Sequence, residues 1–253
     1  MNLENAVKFF APKSPSLSDS SRATATESLS CTDVMASFGM CQSQAEFGMS
    51  AYLGKIGISR LDKQKALDLL TQYGMKHYDK YPSIRRLSPV VKVKIMKILA
   101  TFAYADYCRS AAGVEECRCC AGKGLLNVSR IVIKSHNKNK REVLERDKKL
   151  CVKCNGKGVI SVACTDCRGR GLAVDKVESE KQGVPVIRNC NRCNGVGYIR
   201  LPSTNAFRAC KALSSEITID IWKRSIKRLY EQMIRECELQ ESFADDILKK
   251  VTK

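Results

Sequence analysis

CRCCAGKG at Cys117–Gly124, CVKCNGKG at Cys151–Gly158, CTDCRGRG at Cys164–Gly171 and CNRCNGVG at Cys190–Gly197 spell Cys-x-x-Cys-x-Gly-x-Gly four times. The motif positions use eight of the 14 cysteines and eight of the 15 glycines. Each octet offers two sulfurs from one tight knuckle, and two octets complete a tetrahedral S4 shell for zinc. The glycines let the chain turn sharply beside the metal, where φ > 0 or an absent side chain is required. Four complete thiolates leave no open coordination position, so the sites are structural rather than Lewis-acid centres. A thiol–disulfide oxidoreductase would use a single Cys-x-x-Cys near a βαβ unit, which four repeats with paired glycines do not resemble.

Tandem pairing joins octet one with two and three with four; nested pairing joins one with four and two with three. The short spacing between Cys154 and Cys164 suits a hairpin closed by one ion. The sequence therefore predicts nested pairing: Cys117, Cys120, Cys190 and Cys193 on one zinc, and Cys151, Cys154, Cys164 and Cys167 on a second. Cys119 lies inside the first octet and is an alternative ligand by spacing. Cys108, Cys210 and Cys237 fall in helical patterns as small core residues. His77 and His136 lie far from any knuckle, and no catalytic constellation is visible; the chain reads as a non-enzyme without a small-molecule substrate.

The chain has 253 residues, with 44 Lys and Arg against 26 Asp and Glu, a formal charge of +18. A basic surface points to double-stranded nucleic acid before anionic membrane. Aromatic content of 6% implies a modest core, and structural zinc, worth roughly 10–16 kcal/mol in small ligating peptides, offsets that. No apolar run has membrane-spanning length and Met1-Asn-Leu-Glu lacks the charged and apolar regions of a secretory signal, so a cytoplasmic protein with reduced cysteines is expected.

Four regions are expected: a flexible Ser/Thr-rich segment over 1–58, a helical region over 59–112, the zinc region over 113–201 and a helical region over 202–253. Residues 11–30 read as an extended tail and 31–54 as weakly ordered. Ser59 with Asp62 has capping-box spacing for a helix ending near Lys80. Ser88-Pro89 opens another, with Val91, Ile95, Ile98 and Phe102 on one stripe, running to about Ala112. Lys92, Lys94 and Lys97 lie off that stripe, as a solvated face. The arm 125–150 reads as a hairpin or a strand and short helix; Leu172–Glu178 and Val184–Arg188 read as a second hairpin. The fold class expected is mainly α, with a C-terminal helix-turn-helix and an inserted zinc-ribbon β-hairpin arm binding two zinc ions.

The helix-turn-helix would pair a helix opening at Pro202-Ser203 with one capped by Thr218 and about 20 residues long. On the second, Trp222, Ile226, Leu229 and Met233 share one face, within about 60° at 100° per residue. Lys223, Arg224, Lys227 and Arg228 share the other, available to DNA, with Arg200 and Arg208 as flanking phosphate contacts. A last helix is expected from Ser242, with Asp245 in the capping position.

Read end to end, the chain resembles the lambda Q-type late-gene antitermination proteins of lambdoid phages and prophages. The resemblance rests on Lys8–Pro15 (KFFAPKSP), Asp19–Met40, Gln42–Met49 (QSQAEFGM), Asp62–Ala66 (DKQKA) and Ala100–Ala112 (ATFAYADYCRSAA). It continues through the first and fourth octets, Gly195–Pro202 (GVGYIRLP), the Trp222 helix and Glu241–Val251 (ESFADDILKKV). It implies a DNA-binding factor that acts at a late promoter. Such a factor engages paused bacterial RNA polymerase through its flap and the sigma factor, then carries it through terminators. The resemblance also implies that the family's single zinc site corresponds to Cys117, Cys120, Cys190 and Cys193, that the DNA-contacting helix corresponds to roughly Ile217–Glu238, and that this chain departs from the family over 125–189. Apart from the resemblance, the arm stiffened by the inner octets is expected to approach polymerase or nascent RNA rather than DNA. The four octets separately resemble the cysteine-rich module of DnaJ-type co-chaperones. No J-domain His-Pro-Asp motif accompanies them, since Tyr78 follows His77 and Asn137 follows His136.

Overall fold

The computed structural model describes residues 1–10, 29–136 and 139–252, and at 134–136 and 139–142 the backbone only. The tail expected over 11–30 falls outside the described residues apart from its last two positions. Two compact units form. One joins Met1–Cys108 to Leu201–Lys253, and the other is Arg109–Arg200. The regions expected separately at 59–112 and 202–253 thus share one body.

The first unit is helical: α1 Leu3–Phe9, α2 Cys31–Gln44, α3 Glu46–Lys55, α4 Arg60–His77, α5 Pro82–Arg85 and α6 Pro89–Tyr107. The expected weak order of 31–54 is corrected. Ser30 caps α2 with a full capping box to Asp33, and both helices are buried on one side. A glycine of this segment permits close packing. A Cβ on Gly48 of α3 would stand 1.9 Å from the carbonyl oxygen of Gln240. Two backbones approach closely there, as only glycine allows. Ser59 caps α4 as its spacing indicates, accepting from the Asp62 N–H. Helix α6 stops at Tyr107, short of Ala112. Its buried face is Ile95, Met96, Leu99, Ala100, Ala103, Tyr104 and Tyr107; of the stripe expected from the sequence only Ile95 is fully buried, and Val91, Ile98 and Phe102 pack at the edge.

Residues 219–251 form one continuous rod. It starts as Ile219–Ile221, passes through a π-helical turn at Trp222–Ile226 and continues as Lys227–Val251. The separate helix expected from Ser242 is a correction: nothing breaks the rod there. Asp245 caps no helix of its own; its carboxylate accepts the Leu3 N–H at 2.8 Å, fastening α1 to the rod. Lys55 pairs with Glu241 at 2.9 Å and lies over the Tyr107 ring. Trp222, Ile226, Leu229 and Met233 are all buried in the main core, as their common face predicts. Trp222 packs on Phe207 and Tyr230, at 5.7 and 6.3 Å between ring centroids. Cys210 and Cys237 are buried in the same core with Cys108 at its edge, the small apolar role expected of them.

Among the described residues the second unit holds three two-stranded antiparallel sheets. Strand β1 Val114–Glu116 pairs with β4 Val159–Ser161, β2 Leu125–His136 with β3 Asn139–Leu150, and β5 Leu172–Asp175 with β6 Val186–Asn189. Over 125–136 and 139–150 the arm is therefore a pair of antiparallel strands, as the hairpin reading expects. Between β5 and β6 the expected hairpin turn is instead a short helix, α7 Lys176–Gln182. Asp175 caps it by accepting the Glu178 N–H, and Gly183 ends it at φ 69°. The segment between Glu178 and Val184 is thus a helix C-terminus, the other structure that glycine ends.

Candidate metal centres and a basic helix face

The structure corrects the cysteine pairing. Cys117, Cys120, Cys151 and Cys154 form one cluster, and Cys164, Cys167, Cys190 and Cys193 form the other, all buried. Pairing is tandem. In the first cluster Sγ of Cys117 lies 3.7 Å from that of Cys151, and Cys120 lies 3.7 Å from Cys154. The second repeats this at 3.8 Å for Cys164–Cys190 and 3.7 Å for Cys167–Cys193. These separations are far above the ~2.05 Å of a disulfide. They match the edge of a tetrahedron with zinc–sulfur bonds of about 2.3 Å, which is about 3.8 Å. Each cluster is able to hold a metal ion. Cys119 is exposed and belongs to neither.

Backbone hydrogen bonds explain why neighbours pair. The Cys117 N–H donates to the Gly158 carbonyl, and the Cys151 N–H donates to that of Gly124, both at 2.8 Å. The second module repeats the exchange, Cys164 to Gly197 at 2.9 Å and Cys190 to Gly171 at 2.7 Å. Each module is a reciprocal pair of knuckles that satisfies its own backbone. The intervening strands, β2–β3 or β5–β6, only have to lead from one knuckle to the other. Nested pairing would have had to close Cys151 on Cys164 across β4, which instead pairs with β1.

The same geometry tunes the thiols. The second glycine of each octet, Gly124, Gly158, Gly171 or Gly197, donates its N–H to the second cysteine's sulfur at 3.2–3.3 Å. Burial raises the Cys151 thiol, but the N–H groups of Cys154 and Lys153 and the neighbouring thiols outweigh it and bring it down to about 6. Cys167 is brought to about 7 against the same penalty, with the Gly171 N–H as the largest opposing cause. Burial pushes Cys120 and Cys193 up to about 11, despite the N–H groups of Gly124 and Gly197. Cys151 in one module and Cys167 in the other are thus drawn toward the thiolate form that a bound cation requires.

Outside the clusters, His77 Nδ1 bonds the Tyr73 carbonyl at 2.9 Å, a local helix contact. The side chain of His136 is not among those described.

The rod displays the charges expected of it. Lys223, Arg224 and Arg228 are exposed and Lys227 is half-buried, opposite the Trp222 stripe. Lys227 pairs with Glu231 at 3.6 Å. Lys223 and Arg224 sit in the π-helical turn, a distortion that no residue pattern announced. Helix α8, Ser203–Leu213, precedes the rod and carries Arg208 exposed. Arg200 is exposed in the second unit.

The chain matches the family described as Antitermination protein Q over residues 23–111 and 158–245. It is 41% identical over 253 residues to antitermination protein Q of Salmonella phage P22 and 41% to that of Escherichia phage lambda, in each case covering all of both chains. It is 39% identical over 254 residues, with the same full coverage, to the prophage antitermination protein Q homolog QuuQ of Escherichia coli (strain K12). The family match is interrupted over 112–157, not over 125–189 as expected from the sequence. The interruption contains Cys117, Cys120, Cys151 and Cys154, whereas Cys164, Cys167, Cys190 and Cys193 lie inside the matched part. The matched part thus spans the second module. On the match and the full-length identities alike, the chain belongs to the antitermination protein Q family.

Proposed function

We propose that this chain is a transcription antitermination factor that binds double-stranded DNA at a late promoter. It engages bacterial RNA polymerase paused just downstream, through the flap and the sigma factor, and converts it to a form that reads through terminators in the host cytoplasm. Family membership over the full chain carries this reading. The helix-turn-helix role falls to α8 and the rod, with Lys223, Arg224, Lys227 and Arg228 toward the DNA and Arg200 and Arg208 as phosphate contacts. The segregation of these cations from a buried apolar stripe supports it. Zinc is the ion proposed for both modules, since buried tetrathiolate sets with tetrahedral edges select it in a reducing compartment. Among the described residues no helix is long and apolar enough to cross a membrane.

The test is transcription in vitro on a template carrying the chain's own late promoter and a downstream terminator, with zinc present. Increased readthrough is expected. Readthrough unchanged by the protein would refute the proposal, and a promoter footprint without readthrough would leave a promoter-binding regulator in its place.

A further inference from the structure

The hairpin β2–β3 lies in the segment that the family match skips. Its strands are 12 residues each, about 40 Å at roughly 3.3 Å per residue. A ribbon of two strands has two faces and no covering layer, and its residue pairs alternate between them. One face carries Leu126 with Lys149, Val128 with Asp147, Arg130 with Glu145 and Val132 with Val143. Its apolar side chains and Glu145 are half-buried, and Arg130 lies 3.8 Å from Asp147. Among the described side chains the charges of that face compensate, Lys149 and Arg130 against Asp147 and Glu145; by register Lys134 and Arg141 continue it at the far end.

The other face is exposed at every position whose side chain is described. It carries two successive polar pairs, Asn127 with Lys148 and Ser129 with Arg146, followed by Ile131 with Leu144. Both acids among the described side chains lie on the first face; by register Glu142 belongs to the second, at its far end opposite Ile133. The whole skipped segment is strongly basic, with twelve Lys and Arg against five Asp and Glu.

From this arrangement we propose that the Asn127–Arg146 face of the ribbon is a second DNA-contacting element, seated in the major groove. The groove admits a two-stranded β-ribbon. Arg and Lys there grip phosphates or guanine edges, Asn pairs with adenine, and apolar side chains such as Ile131 and Leu144 meet thymine methyl groups. An isolated hairpin is marginal in water. Here the first metal module clamps its base, where the Cys151 N–H bonds the Gly124 carbonyl next to the Leu125–Leu150 pair. The proposal is independent of the role assigned to the rod.

The experiment measures binding of the full zinc-loaded chain to a fluorescent 30-base-pair duplex at 50–200 mM KCl. It is done in a K223Q/R224Q background, so that the rod's contribution is already reduced. R146Q/K148Q is expected to lower the slope of log affinity against log salt by about 1.8, at about 0.9 per phosphate contact. K149Q/K153Q removes the same charge away from that face and is expected to leave most of the slope. Should R146Q/K148Q lose metal, Asn127→Asp, which places a negative charge on the same face, is read instead, with a tenfold loss of affinity expected. An unchanged slope or affinity, an equal loss in K149Q/K153Q, or equal binding of a single-stranded RNA of the same length would each overturn the proposal.

Discussion

A Cβ on Gly124 would stand 2.2 Å from the carbonyl oxygen of Gly156, and one on Gly158 would stand 2.2 Å from that of Gly122. The two knuckles of a module touch backbone to backbone at these glycines, which also hold φ of 72° and 75°. Gly124→Ala therefore meets two penalties at once: a left-handed conformation, about 1–2 kcal/mol, and a clash that only separation of the knuckles relieves. Elemental analysis should find one zinc per chain in Gly124→Ala against two in the unaltered protein, with the second module loaded normally.

Tandem pairing makes a sharper statement about cysteines. Replacing Cys117 and Cys151 together by serine removes two ligands from one cluster and none from the other. One zinc should be lost, and the affinity of the remaining site should be unchanged in a chelator competition. Loss of both ions would mean that octets one and two serve different sites.

The Leu3–Asp245 hydrogen bond ties the fold to acidity. Burial raises the Asp245 carboxyl, yet Lys249 at 2.6 Å and the Leu3 N–H hold it below its ordinary 3.8. A carboxylate lowered on folding stabilises fully above its unfolded pKa, and that contribution fades as pH falls through the folded value. Asp245→Asn should cost about 1–2 kcal/mol at pH 7. Hydrogen exchange of α1 should quicken in this variant at neutral pH, and in the unaltered chain only below about pH 4.

The two faces of the rod should separate on mutation. Trp222→Ala empties a site packed by Phe207 and Tyr230 and should cost about 3–5 kcal/mol. Lys223→Ala with Arg224→Ala changes exposed side chains and should shift stability by no more than about 0.5 kcal/mol. Only the second pair should weaken promoter binding in a soluble, fully folded protein, as read by thermal melting beside a footprint titration.

How far these features can be read without coordinates depends on the range of the interaction. The octets are legible because ligand spacing and left-handed turns are local demands that few residues meet. The Trp222 stripe is legible because a helix repeats its demand every turn. Pairing is not, since both arrangements use the same eight cysteines. The choice lies in hydrogen bonds between Cys117 and Gly158, or Cys164 and Gly197, that span tens of residues. The order of 31–54 is missed for the same reason: Gly48 packs against Gln240, far along the chain. Asp245 imitates a cap in sequence, but its partner is Leu3.

The first metal module leaves the chain where it entered. Strand β1 pairs with β4, Val114 opposite Ser161, and the Val162 N–H bonds the Gly113 carbonyl at 3.0 Å. Everything between is a closed lobe on a narrow stalk, so its ends would accept a different lobe of any length at little extra loop-closure entropy. Such a stalk is a point at which a lobe is added or removed without redesigning the rest of the chain.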